Sequence, residues 1–140
     1  AGLAEKIDEN GVVIGRPGKA RTEKQISRLL PFKNPIVHPA SAIKRNSLLK
    51  ARGYLGGVNC EDRDLWLRMD RAGMRLVVAD FPAIQYRINP YQVKGSRIAY
   101  ADGVGLTLRE ALFRGSPRFF IGAFTSFVKF YVFSLIGRMK

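Results

Sequence analysis

The most informative stretch of this chain reads Glu61-Asp62-Arg63-Asp64-Leu65-Trp66-Leu67-Arg68-Met69-Asp70-Arg71-Ala72-Gly73. Its apolar and small side chains recur at the spacing of one helix face, at Leu65, Trp66, Met69 and Ala72. Gly73 is placed to end that helix, because glycine readily adopts the left-handed conformation found just after helix C-termini. The pattern therefore predicts a helix over residues 62–72 that begins beside a group of carboxylates.

The acids at this helix start have two interpretations. Carboxylates are favoured at a helix N-terminus by the dipole and by free backbone N–H groups, so Asp62 could simply cap the helix. In a cationic domain the same carboxylate could act as a general base, kept ionised by neighbouring arginines. Those arginines are Arg63, Arg68 and Arg71. The residues alone leave both interpretations open.

Upstream of this helix the sequence predicts short elements joined by rigid loops. An Asn10-Gly11 turn, with both residues at positive φ, predicts a hairpin over residues 6–15. Thr22 is placed to cap a short helix that Pro31 ends. The remaining expected elements are an extended segment at 34–39, a strand at 40–44, and a short helix capped by Ser47 and ending at Gly53.

Downstream of the helix the character of the chain changes. Residues 76–79 predict a short buried strand, and the alternation of apolar and polar side chains over 84–88 predicts a half-exposed one. Residues 93–113 predict a helical stretch. The composition shifts after about residue 90, which divides the chain into a first part, 1–90, and a helical tail, 91–140.

Residues 119–137 of the tail are almost entirely apolar or small, with Lys129 as the one charge. The segment is marginal in length for a membrane span, and a lysine near the bilayer centre is costly. We therefore expect a helix lying in the membrane interface. The residues predicted to face the membrane are Phe120, Phe124, Phe127, Lys129 and Tyr131. The alternative is a buried terminal helix of the fold.

Composition limits the possible functions. The 140 residues suffice for one compact domain, and 24 basic against 11 acidic residues give a net charge of +13. Such a charge favours nucleic acid, acidic lipid or a phosphorylated ligand. Cys60 is the sole cysteine, which excludes an internal disulfide and a paired-thiolate zinc site. A Cys60–His38 nucleophile pair lacks any supporting signature. The acidic residues 1–10 are not those of a signal peptide.

An ordered series of short motifs resembles the later half of family-2 glycosyltransferases, in particular the bacterial exopolysaccharide, capsule and O-antigen enzymes. The similarity covers roughly residues 5–90. The motifs are Asn34-Pro35-Ile36-Val37-His38-Pro39-Ala40-Ser41, Lys44-Arg45, Gly53-Tyr54, Glu61-Asp62-Arg63-Asp64-Leu65-Trp66-Leu67-Arg68, Gly73 and Tyr86-Arg87.

The resemblance implies an α/β fold of the GT-A type, here its C-terminal half followed by the helical tail, and sugar transfer with inversion. Asp62 matches the base that deprotonates the acceptor hydroxyl, with Glu61 as the supporting acid. Substrate contacts map to His38, Gly57, Tyr86 and Arg87. The family uses a divalent metal, Mn or Mg, whose Asp-x-Asp ligands belong to the first half. That half is absent from this sequence, so this piece should not transfer sugar by itself.

The resemblance also implies partners and a location. The partners are a nucleotide-sugar donor and a saccharide or lipid-linked acceptor. The apolar tail with its basic ends adds an anionic membrane surface as an expected partner, and nucleic acid is not expected. The location is peripheral, on the cytoplasmic face of the bacterial inner membrane. Two other classes stay open. A basic nucleic-acid-binding module fits the charge, although no helix-turn-helix, zinc-finger or aromatic RNA-binding pattern is present. A membrane-associated protein without catalysis fits the tail.

Overall fold

A computed structural model of the chain describes residues 1–16, 18–57, 60–88 and 97–135. The elements in chain order are β1 (Leu3–Ile7), β2 (Val13–Gly15), α1 (Glu23–Leu29), a 3-10 turn (His38–Ala40), α2 (Arg45–Lys50), α3 (Glu61–Arg71), β3 (Pro82–Arg87), α4 (Arg97–Arg114) and α5 (Pro117–Leu135). The class is therefore mixed α and β. None of these described helices is long and apolar enough to cross a membrane.

The described strands form one mixed sheet in the order β2-β1-β3. β1 pairs antiparallel with β2 and parallel with β3. The predicted hairpin is confirmed, but its turn is of another kind, since only Gly11 of the Asn10-Gly11 pair has a positive φ. The Asp8 carboxylate accepts hydrogen bonds from the backbone N–H groups of Asn10 and Val12 instead, at 2.9 and 2.8 Å. Such side-chain hydrogen bonds stabilise the turn without a positive φ at both central residues.

The centre of the fold is α3. Every residue from Asp64 to Met69 is buried, so most of the helix circumference is enclosed rather than one face alone. Trp66 is 2% exposed and packs within a core that also contains Ile26 of α1, Leu76, and two residues of the tail, Ala111 and Phe119. The predicted helix is confirmed within one residue at each end, and Gly73 follows it with φ 70°.

Three local predictions are wrong. Residues 40–44 form no strand, because the chain leaves the 3-10 turn and stays irregular up to α2. Residues 76–79 contribute only one isolated bridge, in which Val78 pairs with Arg21. Ser47 lies inside α2, whose N-cap position belongs to Lys44 without a side-chain cap. In contrast, Thr22 caps α1 as expected, through a reciprocal pair of hydrogen bonds with Gln25.

The tail packs as a helical hairpin against the rest of the chain. α4 and α5 are separated at Gly115, which has φ 56°. Gly122 of α5 lies so close to Pro31 that an added Cβ would collide with the Pro31 carbonyl. Phe119, Gly122 and Ala123 are buried, whereas most larger side chains of α5 are exposed. Helix α5 therefore has one face packed against the rest of the chain and one face exposed. Residues 93–96 and 136–137 of the predicted helical segments lie outside the described residues.

Candidate active site

Asp62 lies in the first turn of α3, where its carboxylate accepts two hydrogen bonds. The side-chain amide of Asn34 donates to Oδ2 at 2.7 Å, and the backbone N–H of Arg63 donates to Oδ1 at 2.7 Å. The N-cap position belongs to Cys60, which makes no side-chain cap. The interpretation of Asp62 as the capping residue is therefore wrong, because Asp62 already lies within the helix.

A cavity of about 350 Å³, which we call the Asp62 cavity, lies beside this carboxylate. Its size falls in the range of small-molecule sites, about 300–1,000 Å³. The described lining residues come from the loop after α1 and from α3, α4 and α5: Phe32, Lys33, Asn34, Cys60, Asp62, Arg63, Ala99, Tyr100, Gly103, Ser126 and Lys129. Among these described residues Asp62 is the one acid, and three are cationic: Lys33, Arg63 and Lys129.

Arg63 connects three elements at the wall of the Asp62 cavity. Its Nη2 donates to the carbonyls of Leu30 and Pro31, both at 3.2 Å, and to the Thr107 hydroxyl at 2.9 Å. Burial lowers the pKa of Arg63, while the negative charge of Asp62 opposes that shift. The guanidinium therefore holds the end of α1 and the middle of α4 in place around Asp62.

Asp64 has a structural position although it is only two residues from Asp62. It is 1% exposed, and its two oxygens accept from Arg68 at 2.7 Å and from Arg109 at 2.6 Å. Arg68 also donates to the backbone carbonyls of Ala51 and Gly53. Because arginines occupy both oxygens of Asp64, the Asp62-Arg63-Asp64 sequence does not form a metal-binding pair. No group of three or more His, Cys, Asp or Glu residues in the described ranges could hold a metal ion.

The remaining arginine of α3, Arg71, belongs to a second ionic group around Glu110 of α4, which is fully buried. Its carboxylate accepts from Arg71 at 3.1 Å, Arg109 at 3.2 Å and Arg114 at 3.1 Å. Burial works against the charge of Arg109, but its hydrogen bonds to the two carboxylates outweigh this and raise its pKa. Of the three arginines expected to surround Asp62, only Arg63 lies beside it.

His38 and Cys60 do not form a nucleophile pair. His38 Nε2 lies 2.8 Å from the Tyr54 hydroxyl, and its ring meets that of Trp66 edge-on at 6.3 Å. Cys60 is buried, and burial together with the charge of Asp102 raises the pKa of its thiol to about 11. A thiol with that pKa stays protonated near neutral pH, which excludes the thiolate that such chemistry needs.

The other predicted site residues lie in separate places. Gly57 precedes α3 with φ 110°, and an added Cβ would lie 2.9 Å from Cys60 Sγ. It lines a neighbouring cavity of about 380 Å³. Glu61 begins α3 next to Asp62 and does not line the Asp62 cavity.

Tyr86 and Arg87 lie in β3, paired with the end of β1. Arg87 Nη1 donates to the carbonyls of Asp8 and Glu9 at 2.8 and 2.5 Å, which fixes it at the hairpin turn. Neither residue is among the described residues that line the Asp62 cavity. Their assignment as substrate contacts stays a prediction.

The sequence did not identify two features of the site. Asn34 begins the motif of residues 34–41. Its hydrogen bond to Asp62 spans 28 residues, and no local pattern indicates it. Lys129 was predicted to face a membrane, whereas the structure places it on the wall of the Asp62 cavity. The sequence signal for this position was a single lysine in an otherwise apolar helix, because such a charge needs a polar surrounding.

Comparison with known proteins gives one informative similarity. Over 125 residues, or 88% of this chain, the sequence is 35% identical to the O-antigen biosynthesis glycosyltransferase WbnJ of Escherichia coli. The chain spans 49% of that protein, about half its length. No family model and no solved structure matches the chain. The chain is therefore similar to a glycosyltransferase named for O-antigen biosynthesis.

Proposed function

We propose that this chain is the acceptor-side part of an inverting, family-2 glycosyltransferase of cell-surface polysaccharide synthesis, with Asp62 as its general base. The observation that carries the proposal is the position of Asp62 on the wall of a cavity of small-molecule size. The similarity to an O-antigen glycosyltransferase supports the reaction class. The ordered motifs from Asn34 to Arg87 support the family and a GT-A type of fold for the whole enzyme.

The chemistry asked of Asp62 is a proton transfer. Each carboxylate oxygen has two lone pairs, and the described hydrogen bonds use one on each oxygen, so an acceptor hydroxyl can still donate to it. As the proton passes to Asp62, the hydroxyl oxygen attacks the anomeric carbon. The bond from that carbon to the diphosphate breaks, and its electron pair leaves with the nucleoside diphosphate. Attack opposite the leaving group inverts the configuration.

Asn34 is the positioning residue in this scheme. Its amide holds Oδ2 while the N–H of Arg63 holds Oδ1, so the carboxylate plane is fixed relative to the cavity. Glu61 supports the site from the neighbouring helix position. We propose that the rest of the enzyme supplies the nucleotide-sugar site and a Mn or Mg ion. The described residues offer no group that fits such an ion, so its ligands belong to the rest of the enzyme in this proposal.

We further propose that the enzyme lies on the cytoplasmic face of the bacterial inner membrane through α5. Four aromatic side chains of α5 are 44–66% exposed: Phe120, Phe124, Phe127 and Tyr131. They recur every three or four residues, and Ile121, Val128, Val132 and Leu135 extend the apolar face beside them. The net charge of +13 favours an anionic lipid surface. Such a location suits a lipid-linked acceptor.

The stereochemistry of the product tests the proposed reaction. With the whole enzyme and an α-linked sugar nucleotide, NMR of the purified product should show a β-linkage, because a single in-line displacement inverts the anomeric carbon. An α-linked product would contradict a direct attack assisted by Asp62.

A further inference from the structure

Two lysines that line the Asp62 cavity have no side-chain partner in the part of the chain that the structure describes. Lys33 in the loop after α1 and Lys129 in α5 both line the cavity, and both are exposed. Neither ammonium group makes a hydrogen bond or ion pair with any residue that the structure describes. The cavity's third cation, Arg63, is already bonded to two carbonyls and a hydroxyl. The lysines therefore contribute uncommitted positive charge to this cavity.

The packing of α5 fixes the two lysines on the same side of the molecule. Gly122 lies against Pro31, two residues before Lys33, and Arg118 donates to the Arg28 carbonyl at 2.9 Å. Helical geometry of about 100° per residue places Lys129 about 140° around α5 from Phe124. Lys129 thus belongs to the face of α5 that meets the cavity and not to the exposed aromatic face.

Asp62, the one carboxylate among the described residues that line the cavity, does not neutralise these lysines. The described contacts of Asp62 are with Asn34 and with a backbone N–H, and not with either ammonium group. Uncompensated cations in a concave site concentrate anions, and ammonium groups suit phosphate oxygens as point charges. The Ser126 hydroxyl on the same wall can donate a further hydrogen bond.

We propose that Lys33 and Lys129 form an anion-binding subsite beside Asp62 that takes a phosphate or diphosphate group of a substrate. Within the proposed function, on which this biological role rests, that group belongs either to the acceptor or to the leaving nucleoside diphosphate. Anion binding itself does not depend on transfer, so the two proposals can fail separately.

The direct test of the subsite is the binding of inorganic pyrophosphate to the chain, measured at low salt by calorimetry and ³¹P NMR. Lys33→Gln and Lys129→Gln should each weaken binding about fivefold, near the upper end for one exposed ion pair. The double variant should weaken it further, and added salt should weaken the wild type. Lys50→Gln, which removes an exposed lysine of α2 outside the cavity, is the matched control and should bind like wild type.

Equal binding by the wild type and the double variant, or no binding by the wild type, would overturn the proposal. Lys129→Arg keeps the positive charge and should retain binding. Melting curves of the glutamine variants show whether any loss of binding comes from misfolding instead. In the whole enzyme, Lys129→Gln should raise the KM of one substrate. A change for the acceptor assigns the anion to it, and a change for the donor assigns it to the diphosphate. Unchanged KM values for both would contradict the role in transfer.

Discussion

At the scale of single residues, Asp62 and Asp64 show how two neighbouring carboxylates receive different tasks. Asp62 lies beside a cavity with an amide and an N–H on its oxygens, whereas Asp64 is enclosed between two guanidinium groups. The sequence could predict the group of acids and the helix that begins there. The local pattern could not predict which acid is open, because the decisive partner of Asp64, Arg109, is 45 residues away, and only the motif resemblance indicated Asp62.

We expect Asp64→Asn to destabilise the fold strongly. The variant leaves Arg68 buried without its charged partner, and breaking a buried ion pair in this way costs about 3–5 kcal/mol. Denaturant unfolding of the chain measures the loss. Asp80→Asn, at an exposed position, is the matched control and should change the free energy of unfolding by less than about 0.5 kcal/mol. A similar small effect for Asp64→Asn would show that the pair is not structural.

At the scale of elements, α5 combines three roles, because this one helix contributes side chains to the core, to the Asp62 cavity and to the exposed surface. Periodicity predicted α3, β3 and the two tail helices, since their patterns are long or regular. It failed for residues 40–44, of which only Ala40 is buried, and for residues 76–79, where Leu76 and Val78 are buried but only Val78 pairs. The packed face of α5 could not be predicted, because it depends on the contact of Gly122 with Pro31.

Gly122→Ala should loosen α5. The added methyl collides with the Pro31 carbonyl, and overpacking of this kind costs about 1–3 kcal/mol. Gly105→Ala in α4 is the matched control, since an added Cβ there meets no atom within 4 Å. That control should gain up to about 1 kcal/mol from helix propensity alone. Thermal melts of the two variants should move in opposite directions, and a stabilised Gly122→Ala chain would show that the helix is not docked there.

Flotation with anionic liposomes tests the exposed face of α5. We expect the triple change Phe120→Ser, Phe124→Ser and Phe127→Ser to reduce the bound fraction, because each buried aromatic side chain contributes about 1.5–3 kcal/mol. The matched control replaces exposed apolar residues elsewhere: Val12→Ser, Val13→Ser and Ile14→Ser. If both triple variants float like wild type, α5 does not bind the membrane.

At the scale of the whole molecule, the chain spans about half of the glycosyltransferase it resembles. The tail is joined to the first part by ionic contacts of Arg109 and Arg114 and by the burial of Phe119. The division into residues 1–90 and 91–140 stays a prediction. Side chains from both parts enclose one core and line one cavity. Composition could not indicate this, since the arginines that join the parts are also what makes the sequence basic.

The central claim is that Asp62 is the general base, and the kcat of Asp62→Asn in the whole enzyme tests it most directly. Asn keeps the shape and an oxygen that can accept from the Arg63 N–H, so the melting temperature should stay near that of wild type. Positioned proton transfer contributes about 10²–10⁴-fold, so kcat should fall by about that factor. Glu61→Gln should cost less, and Asp80→Asn should leave kcat unchanged. A stable Asp62→Asn enzyme with wild-type kcat would contradict the claim.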